Sequence, residues 1–170
     1  MIVVNRYCIP LHYIISDEKK TDMPKKEGVR KLFDNIASDY DRLNHILSLN
    51  IDKGWRRKAV RQIADENRAM KVLDVACGTA DFTIEIAQKV APGSDVIGID
   101  ISEGMMAVGK DKIRRAGVSA ETYVADCKEL PYEDNTFDRI SAGFGVRNFE
   151  HLDIGLKEMF RVLKPGGKLV

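Results

Sequence analysis

Three carboxylates and one glycine carry the chemistry that can be read first. Asp74 lies in an apolar run, Val72-Leu73-Asp74-Val75-Ala76, of strand length and β-branched character. Gly78 breaks that run, and a helical pattern restarts behind it with Phe82, Ile86, Ala87 and Val90 at spacings of three and four. Asp81 stands where that helix starts. Asp100 ends a second apolar strand, Asp95-Val96-Ile97-Gly98-Ile99, about 22 residues beyond Gly78, the spacing at which a carboxylate reaches a ribose. A buried strand that feeds a helix through a small-residue turn brings backbone N–H groups against whatever sits on the turn. Two ligand contacts in register predict a nucleoside site.

Charge narrows the nucleoside. A dinucleotide-binding turn uses three glycines to admit a pyrophosphate. Here those places read Ala76, Gly78 and Asp81. Asp74 and Asp81 would repel a pyrophosphate and attract a ligand that carries positive charge beside its ribose. S-adenosyl-L-methionine, with sulfonium and ammonium groups, is such a ligand. Two plainer readings stay open at this point. Asp81 can simply N-cap its helix, and Asp74 can be a hydrogen-bonded strand-end carboxylate. A nicotinamide-dependent oxidoreductase is the rival nucleotide reading, with Asp81 at the third glycine position against it.

These groups must be held by a framework, and 170 residues with 44% hydrophobic content suffice for one core. Net charge is +1, which argues against a nucleic-acid binder. The charge is uneven: residues 19–71 hold 14 Lys/Arg against 8 Asp/Glu, and residues 72–170 hold 12 against 16. The basic segment is a solvated helical surface or a peripheral contact with anionic lipid headgroups. Cys8, Cys77 and Cys127 have no metal-ligand spacing, and the three histidines do not cluster near them, so no metal site is expected. Unpaired cysteines fit a reducing compartment, and Cys77 in the turn reads as a small hydrophobe.

In chain order, residues 1–23 read as a disordered leader and charged linker, with an apolar run too short and too broken to span a bilayer and no small-residue cleavage site behind it. Residues 24–69 read as a helical cap, with amphipathic stripes at Val29, Leu32, Phe33 and Ile36, at Leu43, Ile46 and Leu47, and at Trp55, Ala59, Val60 and Ile63 behind an N-capping Asp52. Residues 70–170 alternate strands and helices, the pattern of a parallel sheet covered on both faces. Ser102 is expected to cap a helix that Gly117 closes, with Met105 and Met106 in the core. Glu121–Ala125 and Phe137–Ala142 read as strands. The helix bearing Leu156, Met159, Phe160 and Leu163 should stop at Lys164-Pro165-Gly166-Gly167, and Lys168-Leu169-Val170 should open a fifth strand, leaving the sheet unfinished at that edge.

Four stretches over residues 28–170 resemble the UbiE/COQ5/MenG family of quinone C-methyltransferases. They are Tyr40-Asp41-x-x-Asn44-x-x-Leu47-Ser48 with Trp55 downstream, Leu73 through Asp81, Phe144-Gly145-Val146-Arg147-Asn148, and Arg161 through Gly167. The third is the most specific. Ala80, Asp52, Leu43 and Gly143 depart from the family's usual glycine, histidine, methionine and serine. The resemblance implies a class I methyltransferase Rossmann-like α/β fold, doubly wound and mostly parallel, with an N-terminal helical cap and a sheet truncated in strand five.

It also implies roles. Asp74, Gly78, Thr79, Asp100, Asp126 and Cys127 would bind S-adenosyl-L-methionine, with Asp100 on the ribose hydroxyls, Asp126 and Cys127 beside the adenine, and Thr79 toward the methionyl part. Tyr40, Asp41, Asn44, Arg147 and Asn148 would surround a lipid-soluble polyprenyl quinol. Arg147, always protonated, would stabilise a developing oxyanion; its plainer reading is a structural ion pair. The implied activity is C-methylation of demethylmenaquinol to menaquinol, in the cytoplasm or at the inner membrane face. A methyltransferase on a phospholipid, sterol or small metabolite, and an inactive cofactor-binding fragment, are the alternatives. The acceptor ring and the oligomeric state, homodimer included, stay open.

Overall fold

The computed structural model describes residues 26–37, 40, 51–64 and 67–170. The leader, the stripe at Leu43, Ile46 and Leu47, and the candidate site residues Asp41 and Asn44 lie outside them. Five strands form one sheet in the order β3-β2-β1-β4-β5, and every pairing is parallel. They are β1 (Lys71–Val75), β2 (Asp95–Asp100), β3 (Glu121–Val124), β4 (Phe137–Ala142) and β5 (Leu163–Leu169). The helices are α1 (Lys26–Ile36), α2 (Ile51–Ile63), α3 (Asp81–Ala87), α4 (Glu103–Ala116) and α5 (Leu152–Val162), with a 3-10 turn at Phe144–Asn148.

β1 is central, and its residues after Lys71 are all buried. Alternation along it sends Leu73 and Val75 to one face and Val72 to the other. Leu73 and Val75 join Ile97, Ile99, Phe137, Ile140, Met159 and Val162 in one core, while Val72 packs with Val60, Ile63, Ile86 and Val96 in the second. Both sheet faces are therefore covered, as the uninterrupted apolar runs require. The strand order reverses at β1, with β2 on one side and β4 on the other, and ligands of such sheets bind at the carboxyl ends beside that reversal.

Three local expectations differ from the structure. On α1, Val29 is buried but Leu32 is 57% exposed; Phe33, Ile36 and the buried Ala37 just past the helix are the residues that pack with Met105 and Met106 of α4. Asp52 lies inside α2 and not ahead of it. Helix α5 ends at Val162, and Leu163-Lys164-Pro165-Gly166-Gly167 already belongs to β5. The β4–β5 register slips between Phe137 and Arg139, where Phe137 faces Leu163 and Arg139 faces Lys168. That irregularity absorbs Pro165, which has no N–H to give the ladder. Ser102 does cap α4, accepting from Met105 N–H at 3.1 Å, and Gly117 closes it at φ 65°.

Candidate active site

The turn after β1 is built from three left-handed residues: Ala76 at φ 55°, Gly78 at φ 56° and Ala80 at φ 64°. Left-handed backbone costs an alanine about 1–2 kcal/mol, so both alanines must be held by their surroundings. Each methyl fits because its neighbour has none. A Cβ on Gly145 would overlap that of Ala76, and a Cβ on Gly109 of α4 would come 3.2 Å from that of Ala80. The alanine at the expected glycine position is thus accommodated by a glycine on another element.

Asp100 fastens this turn to the end of β2. Its Oδ2 accepts Gly78 N–H and its Oδ1 accepts Ser102 N–H, both at 3.0 Å. Cys77 N–H adds a bond to Ile99 C=O at 3.0 Å. Burial raises the Asp100 carboxyl above its usual range, against the pull of the Ser102 and Gly78 amides. Each carboxylate oxygen has two acceptor sites, so the group keeps acceptor capacity for a vicinal diol beyond these backbone amides.

Asp74 sits beneath the turn, 1% exposed, with Oδ2 accepting the Thr83 hydroxyl and Oδ1 the Ser141 hydroxyl, both at 2.7 Å. Burial pushes its pKa up to about 6 in spite of these two bonds. The unfolded carboxyl titrates near 3.9. Between those values the folded state holds a proton that the unfolded chain has lost, so stability falls as pH rises from about 4 to about 6. The span corresponds to about 3 kcal/mol. Asp74→Asn removes this dependence. Its melting temperature relative to the parent should climb by roughly 6–10 °C between pH 4 and pH 7; parallel curves in differential scanning calorimetry would show an ordinary carboxyl.

The acidic-pocket expectation needs correction at Asp81. Its carboxylate is ion-paired with Arg56 of α2 at 3.1 Å and in close contact with Lys112 of α4. It is not the N-cap, a place held by Ala80 with no side-chain bond. Its charge is compensated, so the carboxylates that shape the pocket are Asp74, Asp100 and Asp126. Thr79 is 3% exposed with its hydroxyl bonded to Lys112 Nζ at 3.2 Å, so its side chain is held by α4.

Asp126 follows β3 and accepts Lys128 N–H at 3.0 Å. Burial pushes the Cys127 thiol up to about 12 and also raises the Cys77 thiol, so both stay protonated and neither is a nucleophile. Across the opening, the 3-10 turn presents Arg147 and Asn148. Arg147 is exposed and forms no ion pair among the described residues. From the cap come Val29, Phe33 and Ala59, and Tyr40 packs edge-to-face on Phe33 at 5.9 Å and 73°.

One cavity of about 690 Å³ unites these groups, well inside the range of roughly 300–1,000 Å³ for small-molecule sites. Tyr40, Asp74, Gly78, Thr79, Asp100, Asp126, Cys127, Arg147 and Asn148 all line it. Sequence reasoning missed Arg56, Phe82 and His151 in the same wall. Phe82 carried a signal, being the first apolar residue past the turn; His151 carried none.

A parallel sheet in this order, with a turn and a β2-end carboxylate around a pocket at the strand reversal, defines a class I methyltransferase fold. The chain belongs to the ubiE/COQ5 methyltransferase family, whose model matches residues 19–170. It is 51% identical over 151 residues to a demethylmenaquinone methyltransferase of Bacteroides fragilis, covering 88% of this chain and 61% of that one. A demethylmenaquinone methyltransferase of Staphylococcus carnosus is 44% identical over 146 residues, 86% of this chain and 60% of its own length. The chain thus spans about three-fifths of these relatives. Among solved structures, a SAM-dependent methyltransferase from Aquifex aeolicus superposes with a TM-score of 0.59 at 26% identity, covering 65% of this chain and 58% of that one.

Proposed function

We propose that this protein is an S-adenosyl-L-methionine-dependent C-methyltransferase that converts demethylmenaquinol to menaquinol. The carrying observation is that the family-specific Arg147-Asn148 turn and the Asp100 carboxylate open into the same cavity. The cradle suits the cofactor: Gly78 lets backbone approach at a left-handed turn where, among the described residues, only Tyr40 Cε1 comes within 4.0 Å of a built Cβ, and Asp100 keeps acceptor capacity for the ribose.

When bound, the cofactor supplies an electrophilic methyl group. Asp100 holds the ribose hydroxyls, Gly78 and Thr79 line the methionyl side through the turn, and Asp126 and Cys127 flank the base. The quinol ring lies against Tyr40 and Asn148 in this reading. Arg147 holds negative charge on the quinol oxygen, which makes the ring carbon nucleophilic. Positioning of the two reactants supplies much of the rest. The apolar cap residues Val29, Phe33 and Ala59 exclude water and suit a polyprenyl acceptor.

Such an acceptor resides in a bilayer. Leu32, 57% exposed beside Lys31, suits a peripheral contact at the inner membrane face. Among the described residues no helix is long and apolar enough to cross a membrane. The free thiols Cys77 and Cys127 fit the cytoplasm. Incubation with methyl-labelled cofactor and vesicles carrying demethylmenaquinol, a demethylated benzoquinol, phosphatidylethanolamine or a sterol tests the reading. Label should enter the naphthoquinol; label in a phospholipid or sterol overturns it.

A further inference from the structure

One carboxylate of the cap makes a contact that the reaction does not use. On α1, Asp34 Oδ1 accepts the Ser102 hydroxyl at 2.6 Å and Gly104 N–H at 3.0 Å. Both donors belong to the first turn of α4, where Ser102 is the N-cap. The first N–H groups of a helix lack internal partners and carry partial positive charge, and a carboxylate from another helix answers both. The Ser102 hydroxyl first, then Gly104 N–H, hold the Asp34 carboxyl below its usual range despite partial burial. Gly104 admits the contact: a Cβ there would lie 3.1 Å from both Cα and the carbonyl oxygen of Asp34, backbone atoms of a helix with little freedom to yield.

Ser102 also donates its N–H to Asp100 Oδ1 at 3.0 Å. The same residue therefore touches the carboxylate that faces the ribose and the carboxylate that holds the cap. These two acids repel one another. Hydroxyl groups donated to Asp100 disperse its charge and weaken that repulsion. Helix α1 in turn brings Val29 and Phe33 into the cavity wall, with Tyr40 on Phe33.

We propose that Asp34 is a positioning residue that latches the helical cap onto the first turn of α4, and that filling the ribose site at Asp100 tightens this latch through Ser102. The wall against the acceptor then settles after the nucleoside is in place. The coupling half rests on the cofactor reading above; the latch half stands without it.

Hydrogen exchange of the α1 amides, followed by mass spectrometry with and without S-adenosylhomocysteine, tests both halves. In the free protein, Asp34→Ala should speed α1 exchange by about tenfold, while β1 and β2 keep parental protection. Gly104→Ala, which substitutes no residue of the cavity lining, should do the same by displacing α1. Asp34→Asn keeps an oxygen acceptor and should restore most protection. In the parent, saturating S-adenosylhomocysteine should slow α1 exchange, and in Asp34→Ala it should not. In turnover, Asp34→Ala should raise the KM for the acceptor several-fold with kcat nearly unchanged. Equal α1 exchange in the parent and Asp34→Ala overturns the latch. A parent whose α1 exchange ignores bound S-adenosylhomocysteine overturns the coupling. Failure of S-adenosylhomocysteine to bind at all overturns the coupling together with the cofactor reading, and the free-protein comparison still decides the latch.

Discussion

Asp100→Ala should abolish cofactor binding in isothermal titration calorimetry. In the proposed site the side chain accepts both ribose hydroxyls, and hydrogen bonds to a charged group contribute about 1.5–3 kcal/mol each. Losing both lowers affinity by a factor of about 10²–10⁴. The substitution also strips Gly78 N–H and Ser102 N–H of their partner, so the turn loses its fastening to β2 along with the ligand contact. Asp100→Asn separates these effects, because an amide oxygen still accepts from one backbone N–H while its NH₂ group cannot accept from a ribose hydroxyl. It should recover thermal stability better than affinity. Unchanged affinity in Asp100→Ala would remove this carboxylate from the site.

Arg147→Ala should show the opposite division. Removing one preorganised donor from a developing oxyanion typically costs about 10²–10³ in kcat, and a drop of that size is expected with a quinol acceptor. Affinity for S-adenosylhomocysteine should stay near that of the parent, since the cofactor contacts proposed above come from the turn after β1, the end of β2 and the loop after β3. An exposed guanidinium with no ion pair among the described residues can be removed without orphaning a buried charge. Arg147→Lys should recover part of the rate, because an ammonium supplies charge without the planar fork. Equal losses of turnover and cofactor affinity would reassign Arg147 to structure.

The features legible in the sequence were those governed by short-range periodicity. The apolar runs at Val72 and Val96 gave two neighbouring parallel strands, and the distance from Gly78 to Asp100 matched a hydrogen bond that the structure contains. Ser102 as a cap and Met105 and Met106 as core followed from helix chemistry. The ionic state of Asp81 was not legible. Its partners Arg56 and Lys112 sit on two other helices, and periodicity is silent on which distant cations reach a carboxylate. The same holds for Asp34 and Ser102, 68 residues apart. Leu32 fitted the apolar stripe of α1 but faces outward, because a single helix does not reveal which part of a wide stripe its neighbour will cover. At Lys164-Pro165-Gly166-Gly167 the breakers were read as a stop, whereas the ladder accommodates them as an irregularity.

The alanines at positions 76 and 80 give the cofactor turn an unusual dependency. Their methyl groups occupy room surrendered by Gly145 and Gly109, residues of a different loop and a different helix. The loop is consequently no portable cassette. Moved by itself onto another Rossmann-like sheet it would arrive without its steric permits, whereas a glycine-bearing version would travel freely. Drift at any of these four positions is thereby tied to drift at its counterpart, and a chain with glycine at 76 would be released to accept alanine at 145.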